Sequence, residues 1–184
     1  MRRFALAFLS VFSVVGALIA SPALATLKPG DAAPNFIARA AIAGRPFTFA
    51  LSAALRHGPV VVYFYPKAFT TGCSLEAHAF AEAIGKFEDL GASIIGVSHD
   101  DIATLAKFSK QDCVGKFPVA SDVDQKIMTA YDAVLGGKHP ELANRTSYLV
   151  APDGHVIATY TDLDYSKHVD TMLAALATWK AGQH

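Results

Sequence analysis

The stretch VVVYFYPKAFTTGCSLEAHAFAEAIGKFED, Val60 to Asp89, holds the reading that decides the fold. Its first six residues are apolar on both faces, the mark of a strand covered on either side within a sheet. Pro66 stops that strand, because it has no N–H for a ladder and fixes its own φ. From Thr71 to Asp89 the apolar residues Leu75, Ala79, Ala83 and Phe87 recur at helix spacing, and Gly91 follows at a C-terminal stop. A buried strand therefore passes through a short Thr/Gly loop into a helix. That turn delivers Cys73 to the first helical turn, where it could serve packing or chemistry.

Segments around Phe36 to Ala38 and Pro46 to Phe49, separated by AIAGR, predict an N-terminal hairpin. Beyond Gly91, ASIIGVS (Ala92 to Ser98) reads as a second buried strand. DDIATLAKFSKQ reads as a helix opened by Asp100 and Asp101, and FPVASD as a short strand. A helix near Asp124 to Tyr131 precedes TSYLVA and HVIATY, which flank the turn Pro152-Asp153-Gly154 and predict a hairpin. An amphipathic helix from about Ser166 to Lys180 closes the chain. This order predicts an α/β fold, a three-layer sandwich with a central mixed sheet.

The first 25 residues read differently. Arg2 and Arg3 precede an apolar run and then SPALA, where Ala23 and Ala25 supply the small residues of a cleavage site, so residues 1–25 are expected to be an export signal. Residues 26–184 would form the mature domain, with no repeat or linker to divide it. No later apolar run has the ~20 residues that cross a bilayer, so no membrane contact is expected after signal removal. Without Arg2 and Arg3, the 16 basic residues become 14 against 16 acidic ones, with no basic block. Nucleic acid is not an expected partner. Two cysteines, Cys73 and Cys113, are too few for a disulfide scaffold.

Free cysteine packs as a small hydrophobe, and that is the default for Cys73. Three features favour chemistry. The residue follows the end of a buried strand, where α/β folds place their sites. A helix's first turn offers unpaired N–H groups and a positive dipole end, which favour a thiolate. Thr70 lies one short loop earlier with a hydroxyl that can donate and accept, and Pro66 gives the loop a rigid start.

Pro66, Thr70 and Cys73 form P-x-x-x-T-x-x-C after an aromatic strand, and this resembles the active-site signature of the peroxiredoxins (AhpC/TSA superfamily). Among these it is most similar to the bacterioferritin-comigratory, PrxQ-like branch. KPGDAAPNF, VSHDD, FPVASD and NRTSYLVAPDGHV extend the resemblance over nearly the whole mature chain. It implies a thioredoxin-like fold and a thiol-dependent peroxidase that reduces hydrogen peroxide and organic hydroperoxides through a cysteine sulfenic acid. Cys73 would be the nucleophile, Thr70 would hydrogen-bond the peroxide, and Arg145 would favour thiolate and polarise the O–O bond. Glu76, on nearly the same helix face as Cys73, would orient Arg145. No cofactor or metal is implied. Electrons would come from a thioredoxin-like or small-thiol reductant in the periplasm, and the protein would be a monomer or weak homodimer.

One position departs from the pattern. Many relatives carry a resolving cysteine five residues after the nucleophile, and here that place holds His78. Either Cys113 resolves the sulfenic acid after local unwinding, or the enzyme works with one cysteine and an external thiol. Two other functions compete. A thiol-disulfide oxidoreductase would want C-x-x-C, and the place three after Cys73 holds Glu76. A metal carrier would use Cys73, His78 and His139, but positions i and i+5 on a helix lie about 140° apart. Ser98-His99-Asp100 reads as a strand-to-helix loop with Asp100 or Asp101 as cap, since three consecutive residues cannot form a triad. Asn144-Arg145-Thr146 is set aside as a glycosylation sequon, because a glycan would crowd the proposed arginine. His57, His139, His155 and His168 stand in polar surroundings and receive no role.

Overall fold

The computed structural model describes residues 26–183, so the expected export signal and its cleavage site lie outside the described residues. The N-terminal hairpin consists of β1 (Ile37–Ile42), which starts one residue later than the sequence suggests and runs on past Ala38, and β2 (Arg45–Ala50), which is longer at both ends than Pro46 to Phe49. Ala43 and Gly44 join them with φ of 51° and 79°, the double positive φ of a tight primed turn. Pro46 is tolerated because β2 is an edge strand. One short helix, α1 (Leu51–Leu55), has no counterpart in the sequence reading, since a single turn is too short to show a period.

The remaining elements are β3 (Val60–Phe64), α2 (Thr71–Asp89), β4 (Ser93–Ser98), α3 (Ile102–Gln111), β5 (Val119–Ser121) and α4 (Lys126–Ala130). They continue with β6 (Thr146–Val150), β7 (Val156–Thr161) and α5 (His168–Ala181). Their order in the seven-stranded sheet is β2-β1-β5-β4-β3-β6-β7. β3, β4 and β5 run parallel while β6 pairs antiparallel with β3, so the sheet is mixed as expected. The hairpin is no appendage, because β1 joins the sheet against β5 through Ala40 and Ala41.

β3 is buried at every position, and its alternation separates two cores. Val61, Tyr63 and Tyr65 point into one apolar cluster with α2, α3 and α5; Val60, Val62 and Phe64 point into another with α1 and α4. That is the three-layer sandwich. α2 docks through Phe80, Phe87, Ala77 and Ala83, and each buried phenylalanine contributes about 1.5–3 kcal/mol. Its far end closes as a Schellman motif: Ala92 N–H donates to the Phe87 carbonyl at 2.8 Å and Gly91 N–H to Glu88 at 2.8 Å. Gly91 holds φ +81°, which fits the stop read from the sequence.

Close approach also fixes a glycine inside the sheet. Gly96 on β4 faces Tyr63 on β3, and a Cβ at Gly96 would lie 2.8 Å from the tyrosine ring. The ring stays over that gap and stacks on Phe80 with centroids 4.5 Å apart. Gly96→Ala should therefore lower unfolding stability by about 1–3 kcal/mol, the usual cost of overpacking a core. Urea denaturation would show it, and an unchanged midpoint would mean that the Tyr63 ring moves freely.

Candidate active site

The site forms where β3 ends and α2 begins. Tyr65 N–H still donates to the Val97 carbonyl at 3.1 Å, after which Pro66, half-buried, turns the chain off the sheet. Asp100 anchors the loop that follows: its Oδ2 accepts from Ala68 N–H and from the Ser98 hydroxyl, each at 2.8 Å. The expected choice of cap between the two aspartates is thereby settled. Asp101 caps α3 by accepting from Thr104 N–H at 2.8 Å, while Asp100 is buried and works on the other side. Phe69 is held at φ +64°, unusual for a bulky residue, with its ring edge-on to Phe108 at 5.3 Å.

Thr70 is the N-cap residue of α2, and its hydroxyl donates to the Lys67 carbonyl at 3.0 Å. The oxygen's lone pairs remain available to accept a hydrogen bond from a substrate O–H. The first bond of the helix runs from Ser74 N–H to the Thr70 carbonyl, so the N–H groups of Thr71, Gly72 and Cys73 have no helical partner. Cys73 is buried at the base of this turn.

Strand register brings the distant arginine here. Phe64 pairs with Thr146, so Arg145, one residue before β6, falls beside the end of β3. Its guanidinium reaches three acceptors. Nη2 donates to Cys73 Sγ at 3.5 Å, Nη1 donates to Glu76 Oε2, and Nε donates to the Leu163 carbonyl at 2.9 Å. Burial works against the guanidinium charge, but Glu76 and Cys73 outweigh it and hold Arg145 above its ordinary range. Glu76 is fully buried, and this desolvation pushes its carboxyl up to about 7 despite the arginine beside it. Gly72 leaves the arginine room: a Cβ there would lie 3.3 Å from Nη2.

Thus Cys73, Arg145 and Glu76 are joined by direct contacts, and Thr70 and Pro66 shape the approach. Cys113 lies in the same apolar cluster as Cys73, and both thiols are free and buried. Burial, then the adjacent Asp112, pushes the Cys113 thiol well up, so it is neutral. His78 faces Asp112 at 3.8 Å and His139 faces Glu141 at 3.2 Å. Among the described residues no group of three or more His, Cys, Asp or Glu side chains could hold a metal ion.

One expectation is corrected. His168 is not in polar surroundings but fully buried at the start of α5, against Ser147 and Glu76. The polar letters around it, DYSKHVD, hid a ring that the 3-10 turn Tyr165–Lys167 swings into the core. Asp100 was likewise missed as a loop anchor; a doubled aspartate of which only one can cap was the available signal.

A cysteine, a guanidinium on its sulfur and an accepting threonine over a thioredoxin-like sheet define a peroxide-reducing thiol site. The comparisons agree. Residues 29–159 match the AhpC/TSA family, and the chain belongs to it. It is similar to peroxiredoxin Bcp of Xanthomonas campestris, 33% identical over 64% of this chain and 75% of that protein. A putative peroxiredoxin of Mycobacterium tuberculosis is 33% identical over 78% of this chain and 90% of its own length. The crystal structure of peroxidoxin BcpB from Mycobacterium tuberculosis superposes with TM-score 0.74 at 28% identity, covering 83% of this chain and 97% of that one. The chain is a peroxiredoxin of the Bcp/PrxQ branch, a thiol-dependent peroxidase.

Arg145→Lys should cost about 100-fold or more in peroxide rate constant, because one ammonium cannot serve three divergent acceptors, and losing one aimed donor alone costs that much. Stopped-flow peroxide decay checks it; a loss under tenfold would mean that charge alone suffices. Stability should also depend on Glu76. Between its ordinary 4.5 and about 7 the folded carboxyl holds a proton that the unfolded chain has lost, so stability should fall as pH rises through that window. Urea midpoints across the window should show a slope that Glu76→Gln removes.

Proposed function

We propose that Cys73 reduces hydrogen peroxide and organic hydroperoxides, with Arg145 and Thr70 as the substrate-side groups. The observation that carries this is the Arg145 fork, with one amino group on Cys73 Sγ and the other on Glu76. In the reaction the thiolate attacks one peroxide oxygen, forming an S–O bond as the O–O bond breaks, and Cys73 becomes a sulfenic acid while water or alcohol leaves. Thr70 accepts a hydrogen bond from the peroxide, and the free N–H groups of the α2 turn and Arg145 stabilise charge on the leaving oxygen.

Cys113 is proposed as the resolving thiol. It is neutral and enclosed as it stands, so reaching Cys73 requires local opening of the first turn of α2 or of the turn at residues 112–116. Val114 in that turn holds φ +50°, a strained value for a β-branched residue that costs on the order of 1–3 kcal/mol and favours opening. A thioredoxin-type thiol then restores the pair. Arg2 and Arg3, the apolar run after them and the SPALA site support export to the periplasm as the setting of this cycle, and the enzyme is proposed to be a monomer or weak homodimer.

Intact mass after one equivalent of hydrogen peroxide tests both halves. Cys73→Ser should consume no peroxide, and full activity would overturn the peroxidase reading. Wild type should lose two protons and both thiols, with Cys73 linked to Cys113 in a digest, whereas Cys113→Ser should stop at a sulfenic acid that dimedone traps. Accumulation of trappable sulfenic acid in wild type, with Cys113→Ser equally fast on a small thiol, would make the enzyme a one-cysteine peroxidase.

A further inference from the structure

A threonine at the start of a helix has a usual task, and Thr70 does not perform it. An N-cap threonine turns its oxygen inward to accept from the N–H two or three residues on, here Gly72 or Cys73. Thr70 holds the N-cap position of α2 with an extended backbone, φ −81° and ψ 147°, yet its side chain makes no cap hydrogen bond. Its hydroxyl donates backwards instead, to the Lys67 carbonyl at 3.0 Å. The difference matters chemically. Self-capping would occupy an oxygen lone pair and an N–H at the very turn where a peroxide has to bind.

What draws the hydroxyl away lies across one peptide bond. The Lys67 carbonyl and the Ala68 N–H belong to the same planar unit. That N–H donates to Asp100 Oδ2 at 2.8 Å, so the unit is gripped at both ends, by Asp100 at its hydrogen and by Thr70 at its oxygen. Hydrogen bonds joined in series polarise one another, and a peptide whose N–H meets an acidic side chain has a carbonyl that accepts more strongly.

The grip is itself mounted on the sheet. Asp100 Oδ2 also accepts from the Ser98 hydroxyl at 2.8 Å, and with two donors on it this oxygen carries no hydrogen of its own. The backbone of Asp100 is fixed as well, because the Ser121 hydroxyl donates to its carbonyl at 2.7 Å. Ser98 ends β4 and Ser121 ends β5, and Asp100 and Ala68 are both buried between them and the loop. A buried side chain locked by hydrogen bonds to two strands can hold a substrate-side group in place.

We propose that Asp100 is a positioning residue for peroxide reduction: acting through the Lys67–Ala68 peptide, it commits the Thr70 hydrogen to Lys67 and leaves the Thr70 oxygen and the Cys73 N–H open to the substrate. This rests on the peroxidase reading and deepens it. Because its hydrogen is committed, Thr70 meets a substrate only as an acceptor, and the substrate has to bring the O–H. Hydrogen peroxide and organic hydroperoxides carry that hydrogen, and a disubstituted peroxide does not. Asp100 acts on the reaction only through the loop.

Asp100→Ala should slow peroxide decay about tenfold, the effect of one hydrogen bond no longer aimed. Alkylation of Cys73 by iodoacetamide should keep its wild-type rate, since the thiol and its arginine are untouched. In a Thr70→Val background there is no hydroxyl to aim and no cap bond to lose, so the same change should cost nothing further. A merely structural role for Asp100 would loosen the whole turn. Peroxide and iodoacetamide rates would then fall together, or the losses would be equal with and without the Thr70 hydroxyl, and either result overturns the proposal. Should Asp100→Ala fail to fold, Asp100→Asn decides the matter, because an amide oxygen can accept the same two hydrogen bonds but accepts them more weakly than a carboxylate. It should cost about threefold in peroxide rate, nothing in iodoacetamide rate and nothing beside Thr70→Val; an unchanged peroxide rate refutes the proposal. Absence of peroxide decay in wild type would instead refute the peroxidase reading.

Discussion

The guanidinium of Arg145 is the constraint on which the rest of the site depends. It is a permanent charge taken almost wholly out of water, and such a charge is tolerated only where it is paired and hydrogen-bonded. Here the acceptors come from two places in the chain: Cys73 and Glu76 on one helix, and the Leu163 carbonyl just after β7. None of them would suffice alone. Together they fix a planar group so that one edge lies on the sulfur, and the helix, the loop and two strands must all be in register for that to happen.

The same demand explains the rigidity around the nucleophile. Asp100 ties Ala68 to Ser98, Asp101 starts α3, and Phe108 from that helix supports the strained Phe69. Backbone held at unfavourable φ persists only when its surroundings over-determine it, and here three elements do so. A second strained residue, Val114, sits beside the second thiol. The two cysteines are thus each set next to a segment held at a strained φ, as the proposed disulfide step would use.

Behind the sulfur, the site continues deeper than its first contacts. Glu76 is braced by Arg145 on one oxygen and faces the Ser147–His168 pair with the other. These groups belong to α2, β6 and α5, so the terminal helix adds a side chain to the buried polar cluster and is not only a cover for the sheet. A buried polar cluster of this kind is costly where half satisfied, and Glu76 Oε1 is its unpartnered atom.

How far the sequence reached can be seen from particular residues. The extent of helix α2 was legible, because an apolar repeat and a glycine stop are local facts, although Leu75 from that repeat is exposed and Phe80 carries the buried face instead. The buried run at Val60, the hairpin turns and the Cys73 motif were legible for the same reason: strand alternation, turn chemistry and motif spacing are written within a few neighbouring residues. Helix α1 was too short to carry a period, and the hairpin's pairing with β5 depends on a partner about 80 residues away. Only the tertiary structure decided which aspartate anchors the loop, that Arg145 also reaches the Leu163 carbonyl, and that His168 is buried against Glu76. Each of those turns on strand register and helix docking, through which residues distant in the chain share one pocket, and no local pattern records which side chains will meet there.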